Sequence, residues 1–358
     1  MRLPLPADAG FGVRIYDKAT VILGDLWVEK IVMHCVRRRL LIAVAALAGC
    51  ASAAAADWKP EKTVEIVTMS GPGGANDVIA RTVQRVIQQK KLVDTPLAIV
   101  SKVGAGGVLS WNYLNQHPGD GGYISISPIN LLTEHILGAS PLTYTDVTPI
   151  AQLFNEYVAF AVKSDSTLKG GRDILERLRR DPGAVSFAVA ASLGGANHIA
   201  TVLAMKNAGI DVKKLKFVVF TSGVQSQTAV MGGHVDVAAV PVSGVVPQLE
   251  AGRLRVLAVS SAHRLGGALA SVPTWQEQGA NSIFSSWRGV IGPKGMSAAQ
   301  VAYWENVLAK VVASDEWKKD MVNNYWESNF MTSADSRKFL QAQYEEYKNV
   351  LVEVGLAR

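Results

Sequence analysis

The chain has 358 residues, 36 basic and 30 acidic side chains, a formal net charge of +6, and two cysteines, Cys35 and Cys50. Seven of the basic and four of the acidic groups precede Asp57, which leaves a mild +3 on the remainder, without the long basic run that nucleic-acid binding calls for. After Cys50 there is no cysteine for a disulfide, a thiolate nucleophile or a metal site, so packing alone must hold the body of the chain together.

Residues 33–56 have the layout of a secretory signal: Arg37, Arg38 and Arg39, then an apolar stretch over 40–48, then small residues over 51–56. Two processing routes fit. Leu47-Ala48-Gly49-Cys50 reads as a lipobox in which Cys50 becomes the lipidated first residue, while an Ala-x-Ala site just before Asp57 suits ordinary signal peptidase and would discard Cys50. Residues 1–32, with Asp8, Asp17, Asp25 and Glu29, are unlike the basic start of an export signal, so translation is expected to begin at Met33. The mature chain is expected to be exported, with membrane contact only through a lipid on Cys50. No later stretch approaches the roughly 20 apolar residues of a spanning helix.

From Asp57 onward short β-rich runs alternate with amphipathic segments, the pattern of an α/β protein. A strand is predicted over 64–69 and a helix over 77–89, where Val78, Ile79, Val83, Val86 and Ile87 recur at helical spacing. Between them lies Ser70-Gly71-Pro72-Gly73-Gly74-Ala75-Asn76-Asp77. Glycine removes the Cβ atoms that keep a ligand from the main chain, and the first helical amides have no intrahelical acceptor, so this turn suits a carboxylate. No Lys-Ser or Lys-Thr follows, as a nucleotide phosphate loop requires. Strands over 97–100 and 123–127 flank another glycine turn at 104–107. Leu109 stands at the third glycine position there, so it is not read as a dinucleotide site. The third strand ends at Ser127-Pro128-Ile129-Asn130.

The apolar run 150–162 is long enough to leave one lobe and enter another, with the crossing placed near Glu156. The pattern then repeats: helix 171–180, strand 185–191, helix 197–208, strand 217–220, helix 224–231, and strands 235–240 and 254–260. The turn Ser192-Leu193-Gly194-Gly195-Ala196-Asn197-His198 has the character of the first. A plain strand-to-helix connection is the alternative for either turn taken alone, but the pair points to one ligand held between two lobes. Residues 287–290 carry the chain back, and helices over 298–314, 315–324 and 333–354 are expected to close over the first lobe. Lobe I is thus expected to comprise 57–155 and 285–358, and lobe II 156–284.

Several motifs recur in a specific order: Gly71-Pro72-Gly73-Gly74 with Asp77 and Arg81; Gly104-Ala105-Gly106-Gly107 leading to Pro118-Gly119-Asp120-Gly121-Gly122-Tyr123; Gly232-Gly233-His234-Val235-Asp236; and Pro273-Thr274 with Glu277 and Gly279. In this order the chain from Trp58 on resembles the periplasmic solute-binding proteins of the tripartite tricarboxylate transporter group, the TctC or Bug family. The resemblance implies a two-lobed type II binding-protein fold, a Venus flytrap with its ligand cleft between the lobes. It implies capture of a small mono- or dicarboxylate, and delivery of that ligand to the membrane subunits of a transporter. A monomer needing no cofactor and no metal is expected. By position, ligand contacts carry over to Ser70, Gly73, Gly74, Asn76, Asp77, Ser127 and Asn130 from the first lobe, and to Ser192, Gly194, Asn197, His198, Thr221, Ser222 and Gly223 from the second. Ser110 and Trp111 depart from the family pattern, as does Phe220-Thr221-Ser222-Gly223, which lacks the family's lysine and so argues against highly charged citrate.

Side-chain alternatives stay open from sequence alone. Asp77 is at a helix start, where capping competes with ligand contact, and His198 could orient a ligand or be a hydrogen-bonded structural histidine. Asp236 reads as structural. Phe154 and Tyr157 could stack on an aromatic acid or belong to the core. Without metal-ligand histidine spacing, a Gly-x-Ser-x-Gly elbow or a carboxylate pair, catalysis is not expected. An unorthodox hydrolase using Ser192 and His198 is the remote alternative, and a ligand-sensing partner of a sensor kinase is the alternative to transport.

Overall fold

The computed structural model describes residues 58–357; the export signal, Cys50 and the expected start at Met33 lie outside the described residues. Strands β1 (Val64–Thr68), β2 (Leu97–Ser101) and β3 (Tyr123–Ser127) pair in parallel with β1 at the centre. Beside β3 lies β10 (Ser286–Pro293), antiparallel both to β3 and to β4 (Val147–Glu156), and β11 (Glu327–Met331) adds an antiparallel edge. The order is β11-β4-β10-β3-β1-β2.

The second sheet follows the same plan. Here β6 (Ser186–Ala190) is the centre of a parallel trio with β7 (Lys216–Phe220) and β8 (Val237–Pro241). Strand β5 (Val158–Lys163) lies antiparallel between β8 and β9 (Leu254–Val259), giving β7-β6-β8-β5-β9. In each sheet the antiparallel insert is the strand that has just arrived from the other sheet. The apolar run around Glu156 therefore serves two sheets, broken at Tyr157, whose carbonyl leaves the ladder to accept from the Val242 amide at 3.0 Å.

Helix α1 (Ala75–Gln89) follows β1, α2 (Val108–Leu114) follows β2, and α3 (Asn130–Ile136) follows β3. The second sheet is flanked by α4 (Gly171–Arg180), α5 (Ala196–Asn207), α6 (Gly223–Met231) and α7 (Val242–Glu250). The chain ends with α8 (Ala298–Ala313), α9 (Asp315–Asn324) and α10 (Ser333–Glu353). Ile79, Val83, Val86 and Ile87 form the buried stripe of α1 and pack on Val64 and Ile66 of β1, each contributing roughly 1.5 to 3 kcal/mol by burial.

The last helix departs from expectation. Ser333 Oγ donates to the Pro149 carbonyl at 2.7 Å, which ties the start of α10 to β4. Its later apolar positions Leu340, Tyr347 and Leu351 instead join a core with Phe187 of β6, Ile199 of α5, and Ile129, Leu132 and Ile136 at α3. Lys206 of α5 also pairs with Glu353. The helix spans both sheets because its apolar residues recur far beyond the length needed to cover one.

Candidate functional site

The two sheets present equivalent turns at the C-terminal ends of β1 and β6, where ligands of open α/β sheets collect. The Gly73 amide donates to Asp77 Oδ2 at 2.9 Å, and the Gly194 amide donates to His198 Nδ1 at 3.0 Å. Each bond spans four residues, and each first glycine has positive φ, +77° at Gly73 and +88° at Gly194, a conformation glycine alone adopts without strain. Gly74 and Gly195 are then extended N-caps, so the first amides of α1 and α5 project without intrahelical acceptors. Asp77 and His198 are thereby engaged in shaping the turns. Asp77 also binds exposed Arg81 at 2.8 Å.

Because His198 Nδ1 accepts an amide proton, the buried ring is neutral, and its desolvation lowers the pKa to about 4. Phe217 packs edge-on at 4.5 Å between ring centroids. The unfolded chain takes up a proton near pH 6.5 that the folded chain refuses until about pH 4. This contribution to stability, about 3 kcal/mol, is complete above pH 6.5 and is lost as pH falls to about 4. Urea unfolding at pH 7.5 and 4.5 measures it. His198→Asn, which cannot titrate, should show a smaller drop, and an equal drop would remove His198 as its source.

Ser192, at the second turn, reaches α3. Its Oγ donates to Glu134 Oε1 at 2.6 Å and accepts from Asn130 Nδ2 at 3.1 Å. A Cβ on Gly194 would lie 2.4 Å from Leu137 Cδ1 and 3.6 Å from Thr133 Cβ, so this glycine lets the turn seat against the end of α3. The structure thus brings Asn130, Ser192 and Gly194 together. On the first turn Ser70 Oγ accepts from Asn76 Nδ2 at 3.4 Å. Asn76 Oδ1 and Ser127 Oγ, at the ends of the first sheet's strands, are buried without a partner. Asn197 is buried in the first turn of α5, its carbonyl accepting from Thr201 Oγ1 at 2.7 Å.

Other expected residues are placed differently. Ser222 Oγ accepts from the Gln225 amide at 3.3 Å and Thr221 Oγ1 donates to Gln225 Oε1 at 2.7 Å, so both hydroxyls serve the cap of α6, which begins at Gly223. The stacking role for Phe154 is corrected: its ring is wholly enclosed, stacked on Trp326 at 4.1 Å with Trp317 at 5.9 Å, and no face is open. Phe154→Leu should cost about 1 kcal/mol in chemical unfolding and leave ligand affinity unchanged; a weakened affinity would reinstate the ring as a contact. Tyr157 is likewise buried, its hydroxyl bonded to Glu327 of β11, and burial with that carboxylate raises its pKa. Trp111 is enclosed under Gly107 and Met69.

Sequence reasoning missed two groups. Glu134 is buried against the 104–107 turn, a contact that no local pattern announces. Arg288 of β10 is buried and pairs with Glu156 at 3.2 Å where the chain crosses between the sheets. Ser243 at the start of α7 also donates to Glu156, and Arg288 Nη1 donates to the Trp287 carbonyl at 3.0 Å. Burial lowers the Arg288 pKa against the opposing pull of Glu156. Among the described residues no group of His, Cys, Asp and Glu could hold a metal, and no helix is long and apolar enough to cross a membrane.

The pattern of the TctC family, described as tripartite tricarboxylate transporter family receptor, matches residues 79–356. The chain belongs to this family. As a member it is a transporter-family receptor. The UPF0065 protein in the gbd 5' region of Cupriavidus necator is 24% identical over 332 residues, covering 91% of this receptor and 98% of that protein. An R. palustris protein solved with adipate superposes with a TM-score of 0.76 at 23% identity, covering 84% of this chain and 99% of that one. MatC from Rhodopseudomonas palustris with bound malate gives 0.73 at 19% identity, covering 82% and 99%. These similarities establish the two-lobed type II fold for this TctC receptor.

Proposed function

We propose that this receptor captures a small mono- or dicarboxylate in the periplasm, in the seam between its two sheets, and delivers it to the membrane subunits of a tripartite tricarboxylate-type transporter. The observation that carries the reading is the duplicated turn: Gly73-Gly74 opening α1 and Gly194-Gly195 opening α5, each fastened by the same four-residue hydrogen bond. Two sets of free amides on opposite lobes can converge on one carboxylate ligand. In this reading Ser70, Gly74, Asn76, Ser127, Asn130, Ser192, Gly194 and Asn197 line the site, with Asp77 and His198 holding the turns in shape. Thr221, Ser222 and Gly223 form its rim. Support comes from the similar proteins solved with adipate and malate.

A thermal-shift screen of small carboxylic acids tests the reading. A ligand bound only by the folded state raises the melting temperature in proportion to the logarithm of its concentration over its Kd once saturating. At least one acid should do so, and a complete panel without a shift would contradict the proposal.

A further inference from the structure

Glu134 places a carboxyl group in a site read as made for anions. It is 4% exposed on α3, and its Oε1 takes the Ser192 hydroxyl from the opposite lobe at 2.6 Å and Asn130 Nδ2 at 3.4 Å. The 104–107 turn closes over it so tightly that a Cβ on Gly106 would lie 2.0 Å from Oε1. Among the described residues no donor reaches Oε2, and no ion pair includes Glu134. The adjacent His135 turns away from it, its Nδ1 engaged with Tyr344 Oη at 2.8 Å, and makes no ion pair with Glu134.

Three buried polar atoms, in α1, at the end of β3 and in α3, have no partner among the described residues. Asn76 Oδ1 is a carbonyl oxygen, an acceptor whose own amide nitrogen is bound to Ser70, and Ser127 Oγ and Thr133 Oγ1 are hydroxyls able to donate or accept. Thr133 is fully buried and Ser127 is 1% exposed. A desolvated carboxylate with no cation is costly unless the occupant of the site supplies one, and a second carboxylate placed beside it is repelled. Desolvation accordingly raises the Glu134 pKa above the ordinary carboxylate range.

We propose that Glu134 is the counter-ion for a cationic nitrogen on the ligand, so that this receptor takes an amino carboxylate in preference to a plain dicarboxylate of the same length. This rests on the reading of the interlobe seam as the ligand site and specifies its chemistry: the first main-chain amides of α1 and α5 for the carboxylate end, and Glu134 for the ammonium end.

Calorimetry on the mature chain at pH 7.5 tests it with matched probes: succinate, aspartate and 4-aminobutanoate; adipate, 2-aminoadipate and 6-aminohexanoate. At least one amino acid should bind tenfold or more tighter than its dicarboxylate partner. Glu134→Gln should weaken that amino acid at least tenfold and narrow or reverse the preference, while Glu134→Asp, which keeps the charge, should retain it. Melting temperatures of the two variants within a few degrees of wild type would show that the fold is intact. Preference for the dicarboxylate in wild type, or an amino-acid affinity indifferent to Glu134→Gln, would overturn the inference and leave the carboxylate-receptor reading standing. Absence of binding by every probe in a chain that melts cooperatively would overturn both.

Discussion

Arg288→Met is expected to destabilise this receptor by about 3 to 5 kcal/mol, because it strands the buried Glu156 carboxylate with only Ser243 as a donor. The guanidinium and the carboxylate are 6% and 2% exposed, so water cannot compensate either one. Glu156→Leu should cost a similar amount, since it leaves the guanidinium, already with an unpartnered Nε, without the one anion that pairs with it among the described residues. Combining the two changes should cost less than their sum, as removal of both charges leaves neither unpaired. Chemical unfolding of the three variants measures the coupling. Single-variant losses below about 1 kcal/mol would mean that the pair is solvated or expendable. The pair sits on β4 and β10, whose ends continue into the two crossings between the sheets.

Gly74→Val is expected to abolish ligand binding in a chain that still folds. Gly74 has φ −72° and ψ 160°, which valine tolerates, so the backbone does not exclude the substitution. The side chain does the damage: its Cβ would lie 2.8 Å from Ser70 Cβ and 3.1 Å from the Gly71 carbonyl, so the turn must shift. Losing two amide bonds to a charged carboxylate corresponds to an affinity loss of roughly 100-fold or more. Gly194→Val should lose binding as well, and stability with it, because there φ is +88° and Leu137 blocks the new methyl groups. Unchanged affinity in a folded Gly74→Val variant would remove the first turn from the site.

Much of this was legible before any coordinates. The alternation of strands and amphipathic helices, the two glycine turns and the crossing at Glu156 are local signals, because a turn residue or an apolar period acts on its own neighbourhood. Even Asp77 could be read as a cap and His198 as a hydrogen-bonded structural histidine, since each meets a glycine only four residues away. What sequence could not carry was partnership at a distance. Phe154 looked available for a ligand because Trp326, which covers it, is remote in the chain. The Glu134 contact with Ser192 joins residues 58 apart, and the Arg288 pair with Glu156 joins residues 132 apart. The final helix was assigned to one lobe because its apolar spacing is the same whichever core receives it, and only the packing of Leu340, Tyr347 and Leu351 reveals the second.

The central claim is that two lobes clamp one ligand between equivalent turns, and small-angle X-ray scattering of the mature chain tests it most directly. With the acid identified by thermal shift at saturating concentration, the lobes should be held together and the radius of gyration should fall relative to the ligand-free protein. A radius of gyration that does not change on saturation would contradict closure around a shared ligand.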